Sequence, residues 1–175
     1  MKMKAAAMIA ALSLLSWTAF ASGGQEIGDS VGREKKGSAA VASEKTNSTQ
    51  FLEVAATGTP QQIQAALSGG ADVNASDKDG TTALMYAAQK NENPEVISIL
   101  LKAGADIEGE DKDGDTALMW AARSTRNPEV VMTLLKAGAD AMEKDLLGKK
   151  ALSYAALNAN LKDTDAFRQL LKASQ

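Results

Sequence analysis

The stretch DKDGTTALMYAAQKNENPEVISILLKAGADIE, residues 77–108, is answered by DKDGDTALMWAARSTRNPEVVMTLLKAGADAM, residues 111–142, and this pairing decides the fold. Gly80, Gly114 and Gly148 fall at a strict interval of 34 residues. Upstream, FLEVAATGTPQQIQAALSGGADVN keeps the same frame with a shorter connection. Downstream, GKKALSYAALNANLKDTDAFRQLLKAS repeats it once more. Four units, at about 49–79, 80–113, 114–147 and 148–175, with irregular outer members, are the pattern of a stacked array with capping ends.

Local structure follows from the residues of one unit. Leu84, Ala87 and Ala88 lie at i, i+3 and i+4, a narrow small-residue face that lets a neighbouring helix approach closely. Asn93-Pro94-Glu95 starts a second helix: Asn is a good N-cap, Pro at N1 gives up an amide that had no partner, and Glu suits the positive helix end. Asn127-Pro128-Glu129 repeats the device. Ile97, Leu100 and Leu101 then form an apolar stripe expected to be buried, as do Val131, Leu134 and Leu135, and Ile63, Ala66 and Leu67. Gly70, Gly104 and Gly138 stand where a helix ends in a left-handed residue. Asp77 to Gly80 and Asp111 to Gly114 read as tight turns leading to Thr82 and Thr116 as caps of the next helix.

Helix, turn, helix and β-turn with this period, carrying G-x-T-A-L-M-x-A-A and L-L-K-A-G-A-D, resemble the ankyrin repeat. The resemblance covers residues 49–175 and implies an all-α solenoid of about four helix-turn-helix repeats with β-turn fingers. It also implies a concave face of inner helices and fingers. Met85 and Met119 stand where the family usually has a His that hydrogen-bonds between repeats. Methionine fills space without donating, so apolar seams are expected.

Residues 1–21 belong to a different material. Lys2 and Lys4 precede an apolar run from Ala5 to Trp17, and Ala19-Phe20-Ala21 has the form of a signal-peptidase site, so a secretory signal cleaved after Ala21 is expected. The run is too short for a membrane span, which needs about 20 apolar residues, so no stable membrane insertion is expected once the signal is removed. Residues 22–48 are rich in Gly, Ser, Lys and Glu without helical spacing and read as a flexible tether.

Composition narrows the chemistry. Cys and His are absent, which excludes disulfides, thiol nucleophiles, the usual zinc sets and histidine bases. A net charge of -3 gives no footprint for wrapping nucleic acid. Asp111, Asp113 and Asp115 alternate as calcium ligands do, but Gly114 is at position four of such a loop and Ala122 occupies position twelve, so the alternation reads as turn chemistry and no metal is expected.

Tyr86, Trp120 and Tyr154 recur at the repeat interval and form a column roughly opposite the small-residue face of each first helix. There they either stack on a partner in the concave groove or wedge between repeats. Gln89, Lys90 and Arg123 lie beside them as rim residues, and Asp111, Asp113 and Asp115 make a negative edge. These nine residues are the candidate partner-binding set. The expected partner is another protein with a basic rim and an apolar protrusion.

The resulting expectation is a monomeric, non-catalytic protein-protein interaction module without cofactor, exported to the periplasm of a bacterium and acting as helper or inhibitor of a partner. The bacterial assignment rests on the Lys-start signal and on resemblance to exported bacterial ankyrin-repeat proteins. A secreted host-directed interactor is the alternative, and a carboxylate-dependent hydrolase in the acidic loops is a third.

Overall fold

A computed structural model of the chain describes residues 38–175, with side chains from residue 48 onward. The signal at residues 1–21 and the tether as far as residue 37 lie outside the described residues. The last part of that tether is corrected: α1 spans Ser38–Thr57. Ala39, Ala40 and Ala42 are good helix formers, and no Gly or Pro interrupts the run before Gly58. Phe51, Leu52, Ala55 and Ala56 then bury the helix's second half.

Seven more helices follow among the described residues: α2 (Pro60–Ser68), α3 (Ala83–Lys90), α4 (Pro94–Lys102), α5 (Ala117–Ser124), α6 (Pro128–Lys136), α7 (Ala151–Ala155) and α8 (Asp165–Ala173). They pair as α1/α2, α3/α4, α5/α6 and α7/α8, one pair per unit, as an all-α helix-pair solenoid requires. α1, α3, α5 and α7 pack in sequence as an inner row, and α2, α4, α6 and α8 as an outer row. The inner row packs closely because its contact residues are small. Ala83, Leu84, Ala87 and Ala88 on α3 and Ala117, Leu118, Ala121 and Ala122 on α5 are all buried.

The outer helices α4 and α6 bury two of the three expected stripe residues and exchange the third. Val96, Ile97 and Leu100 are buried on α4 and Val130, Val131 and Leu134 on α6, whereas Leu101 and Leu135 are only half-buried. On α2, Ile63 is buried while Ala66 and Leu67 are half-buried. The cause is rotation: each outer helix meets its own inner helix and the next outer helix, so the i, i+1 and i+4 positions face the core.

Helix ends follow the sequence signals closely. Asn93 and Asn127 accept hydrogen bonds from the amides of Glu95 and Glu129. Gly104 has φ +95, and the amides of Ala105 and Gly104 donate to the carbonyls of Leu100 and Leu101, closing α4 in a paired stop that the positive φ makes possible. Thr82 caps α3 by accepting from the Met85 amide, and the Met85 sulfur accepts from the Thr82 amide at 3.3 Å. Thr116, its equivalent, makes no side-chain cap bond, which corrects the expectation for α5.

The seams are not purely apolar. Met85 and Met119 are buried, as space-filling residues should be. Hydrogen bonding between units comes instead from asparagines: Asn91 Nδ2 donates to the carbonyls of Ala55 and Gly58, and Asn158 Nδ2 to those of Ala122 and Thr125. Asn74 and Asn127 reach Gly104 and Glu92 in the same manner. The fingers also stack through backbone, with the Lys112 amide on the Asp79 carbonyl at 2.9 Å and the Leu146 amide on the Asp113 carbonyl at 3.0 Å. Gly114 has φ +75, and a Cβ there would lie 3.0 Å from the Leu146 nitrogen, so this finger approach requires glycine twice over.

Candidate functional site

The finger turns organise the face beside the inner helices. Asp111 Oδ1 accepts from the amides of Asp113 and Asp115, while its Oδ2 accepts from Trp120 Nε1 at 2.9 Å. Asp77 does the same work in its unit, accepting from the amides of Asp79 and Thr81 and from the Tyr86 hydroxyl at 2.8 Å. Asp145 accepts from the amides of Leu147 and Lys149 and from the Tyr154 hydroxyl. Each aromatic of the column is therefore latched to the turn aspartate of its own finger. All three rings also pack against the core while remaining half-buried. The latches are legible afterwards: an Asp stands nine residues before each aromatic.

Charge distribution follows from the latches. Burial pushes the Asp77 carboxyl up, but the Tyr86 hydroxyl and two backbone amides outweigh it and hold the group below its ordinary value. Asp145 is held down in the same way, burial being outweighed by Tyr154 and the Lys149 and Leu147 amides. Tyr86 is raised in turn by its bond to Asp77, with burial adding to it. Asp115 behaves oppositely. It is 3% exposed, and burial raises its pKa despite the Arg123 guanidinium 2.6 Å away, with Asp111 and Asp145 adding repulsion.

Cations cover the aromatic column. Lys90 Nζ lies 5.4 Å from the Tyr86 ring centroid, and Arg123 lies 4.1 Å from that of Tyr154 and 5.7 Å from that of Trp120. Arg123 thus ties three groups together: it pairs with Asp115, stacks on Tyr154 and touches its neighbour Trp120. Such contacts are worth about 0.5–1 kcal/mol at exposed sites, enough to orient side chains that would otherwise sweep freely.

The nine candidate residues therefore divide. Lys90 lies over Tyr86, and Arg123 joins Trp120 and Tyr154, with Lys90 and Arg123 exposed; the half-buried Gln89 lines a cavity with Lys90 and Asn91. Asp113 is exposed as well. The Asp111 carboxylate is spent inside the domain, which corrects its assignment to a contact edge: a turn needs an acceptor for its amides, and Trp120 takes the other oxygen. Asp115 is buried rather than on an open edge, with one oxygen on Arg123 and the other without a partner. No group of three or more acidic side chains suited to hold a metal occurs among the described residues.

Sequence reasoning missed two features. The asparagine brackets at Asn91 and Asn158 sit in loops, where Asn is common and carries no distinctive signal. Leu146 and Leu147 at the last finger and Leu157 after α7 are 77%, 77% and 84% exposed. Their signal is a departure from register: Lys78 and Lys112 become Leu146, and Asp79 and Asp113 become Leu147.

No helix among the described residues is long and apolar enough to cross a membrane. A family model for ankyrin repeats matches residues 51–145 in three copies, and the fourth helix pair lies beyond it. No match was found among curated proteins. With the matched region covering more than half of the chain, and stacked fingers and two rows of helices beneath it, the chain belongs to the ankyrin-repeat family, whose domains serve generally as non-catalytic protein-protein interaction modules.

Proposed function

We propose that the protein is an exported, periplasmic interaction module that binds one partner protein through its finger and inner-helix face and acts as its helper or inhibitor. The observation that carries the binding reading is the latched column: Tyr86, Trp120 and Tyr154 are held by Asp77, Asp111 and Asp145 before any partner arrives. A surface whose aromatics are already fixed loses little side-chain entropy on binding, which is how a small face reaches useful affinity. Aromatic and Arg anchors are also the commonest hot spots. Export is supported by Lys2, Lys4 and the Ala19-Phe20-Ala21 site alone.

Two measurements test this. The mature N-terminus should be Ser22 in extracellular or periplasmic material, and retention of Met1 there overturns export. A protein captured from periplasmic extract should dissociate faster from Trp120→Ala by an amount worth about 2 kcal/mol, the hot-spot scale. A melting temperature that drops while the dissociation rate stays unchanged assigns Trp120 to the stack and removes it from the interface.

A further inference from the structure

The finger ladder of this protein has a broken rung. Between the second and third units the rung has two parts: the Lys112 amide bonds the Asp79 carbonyl at 2.9 Å, and the Lys112 ammonium pairs with the Asp79 carboxylate at 3.0 Å. Between the third and fourth units the backbone part is kept, with the Leu146 amide on the Asp113 carbonyl at 3.0 Å. The side-chain part is lost, because residue 146 is leucine. Asp113 therefore has no cation paired with it among the described residues, and Leu146 and Leu147, 77% exposed, stand beside it in water.

A cavity of about 330 Å³ opens at this rung, lined by Asp113, Asp115, Arg123, Leu146, Leu147 and Tyr154 together with Asp145. One oxygen of the buried Asp115 carboxylate, Oδ1, has no hydrogen-bond partner, while the other is on Arg123. Of the three carboxylates here, Asp115 is paired with Arg123, Asp145 accepts from Tyr154 and two backbone amides, and Asp113 has no ion pair. Desolvating a carboxylate oxygen without a donor is costly, and a second cation would offset it.

We infer that this cavity is the anchor point of a partner polypeptide that inserts an arginine or lysine side chain between Asp113 and Asp115 and lays a flanking aliphatic residue over Leu146 and Leu147. The inserted cation takes the place that Lys112 fills one rung earlier. The aliphatic residue covers the two leucines that the other fingers lack. Among the described residues Arg123 is paired with Asp115 and Lys149 lies over the Tyr154 ring at 5.7 Å, and neither forms an ion pair with Asp113, so the complementing charge comes from the partner. This inference rests on the protein-binding reading and locates it at the third and fourth fingers.

The test uses the full mature chain, labelled with ¹⁵N, and a blocked pentapeptide Gly-Leu-Arg-Leu-Gly as probe. Saturable amide shifts are expected to cluster at residues 113–115 and 145–149. The same peptide with neutral citrulline for arginine should bind at least tenfold more weakly. Leu146→Lys, which rebuilds the rung at an exposed position, should weaken binding of the arginine peptide at least tenfold, and Asp113→Asn should weaken it several-fold. Shifts scattered over the first two fingers, equal binding of the citrulline peptide, or undiminished binding to both variants each overturn the inference. So does a concentration-dependent dimer of the free chain that Leu146→Lys abolishes, which would make a second copy the occupant. A protein partner that keeps its Kd with Leu146→Lys and loses affinity with Trp120→Ala overturns this location while leaving the protein-binding reading intact.

Discussion

Counted together with the finger turn that leads into each, the second and third units, residues 77–110 and 111–144, share a frame and differ in what they show. Their Asp-Lys-Asp-Gly turns, Asn-Pro-Glu helix starts and glycine stops superpose residue for residue. On the finger and inner-helix side their differences include Thr81 against Asp115, Tyr86 against Trp120, and Gln89 against Arg123. The third unit thereby gains an ion pair between the buried Asp115 and the exposed Arg123, and a cation stacked on the next unit's Tyr154. It also carries a cost absent from the second: Asp115 Oδ1 and Thr116 Oγ1 are buried without partners. A repeat separates its frame from its face, and the face is where stability is given up.

The largest expected effect tests whether the two frames are equivalent. Leu100 and Leu134 are fully buried at matching positions, so Leu100→Ala and Leu134→Ala should each destabilise by about 2–5 kcal/mol in denaturant unfolding, with similar values. Leu101→Ala and Leu135→Ala, at half-buried positions, should cost less than their neighbours. A loss at Leu101 as large as that at Leu100 would mean that α4 is rotated relative to the described packing.

A middle-sized effect separates the seams. The Asn91 side chain ties the first and second units through two carbonyls, whereas the side chain of Thr125, at the same place in the third unit, bonds only with Asn127 in its own loop. Asn91→Thr should therefore lower stability by about 1–3 kcal/mol, the cost of leaving buried carbonyls without donors. Thermal melting that is unchanged in this variant would show that the seam holds by apolar packing alone, as the methionines first suggested.

Much of this was legible from spacing. The repeat interval, the Asn-Pro-Glu starts and the glycine stops depend on local backbone chemistry, and local rules place both ends of α4 and α6 and the starts of α3 and α5. The third residue of the α4 and α6 stripes was misplaced because periodicity identifies a face but not which neighbour it meets. Asn91 and Asn158 escaped notice because their partners lie 33 and 36 residues away, across a seam that no local pattern encodes. Asp111 and Asp115 were read as surface charge because composition cannot tell an acid facing water from one folded into its own turn.

The smallest expected effect isolates the face of the third unit. Asp115→Thr with Arg123→Gln converts its pair to the Thr81 and Gln89 of the second unit. Thr81 adds a hydroxyl bond to Asp77, so a threonine at 115 has the Asp111 carboxylate within the same reach. Replacing a buried carboxylate and its half-exposed cation by groups that pack and bond locally removes a desolvation penalty, so stability near pH 7 should stay level or rise by about 1 kcal/mol. The pH dependence supplies the sharper signature. Asp115 has a raised pKa, so the folded state holds its proton more tightly than the unfolded state, whose value is about 3.9. Its contribution is thus unfavourable at neutral pH, and the penalty fades as pH falls through the raised value toward the ordinary one. Asp77 and Asp145, held below their ordinary values, act in the opposite sense: they stabilise at neutral pH and lose that contribution as acid titrates them. Both of those residues are retained in the double variant, so subtracting the two stability curves cancels their part. The difference should be greatest at neutral pH and shrink on acidification to about pH 3.5. A difference that is flat across that range, or a double variant clearly less stable at neutral pH, would show that Arg123 fully compensates the buried charge and that the third unit gives up nothing for its face.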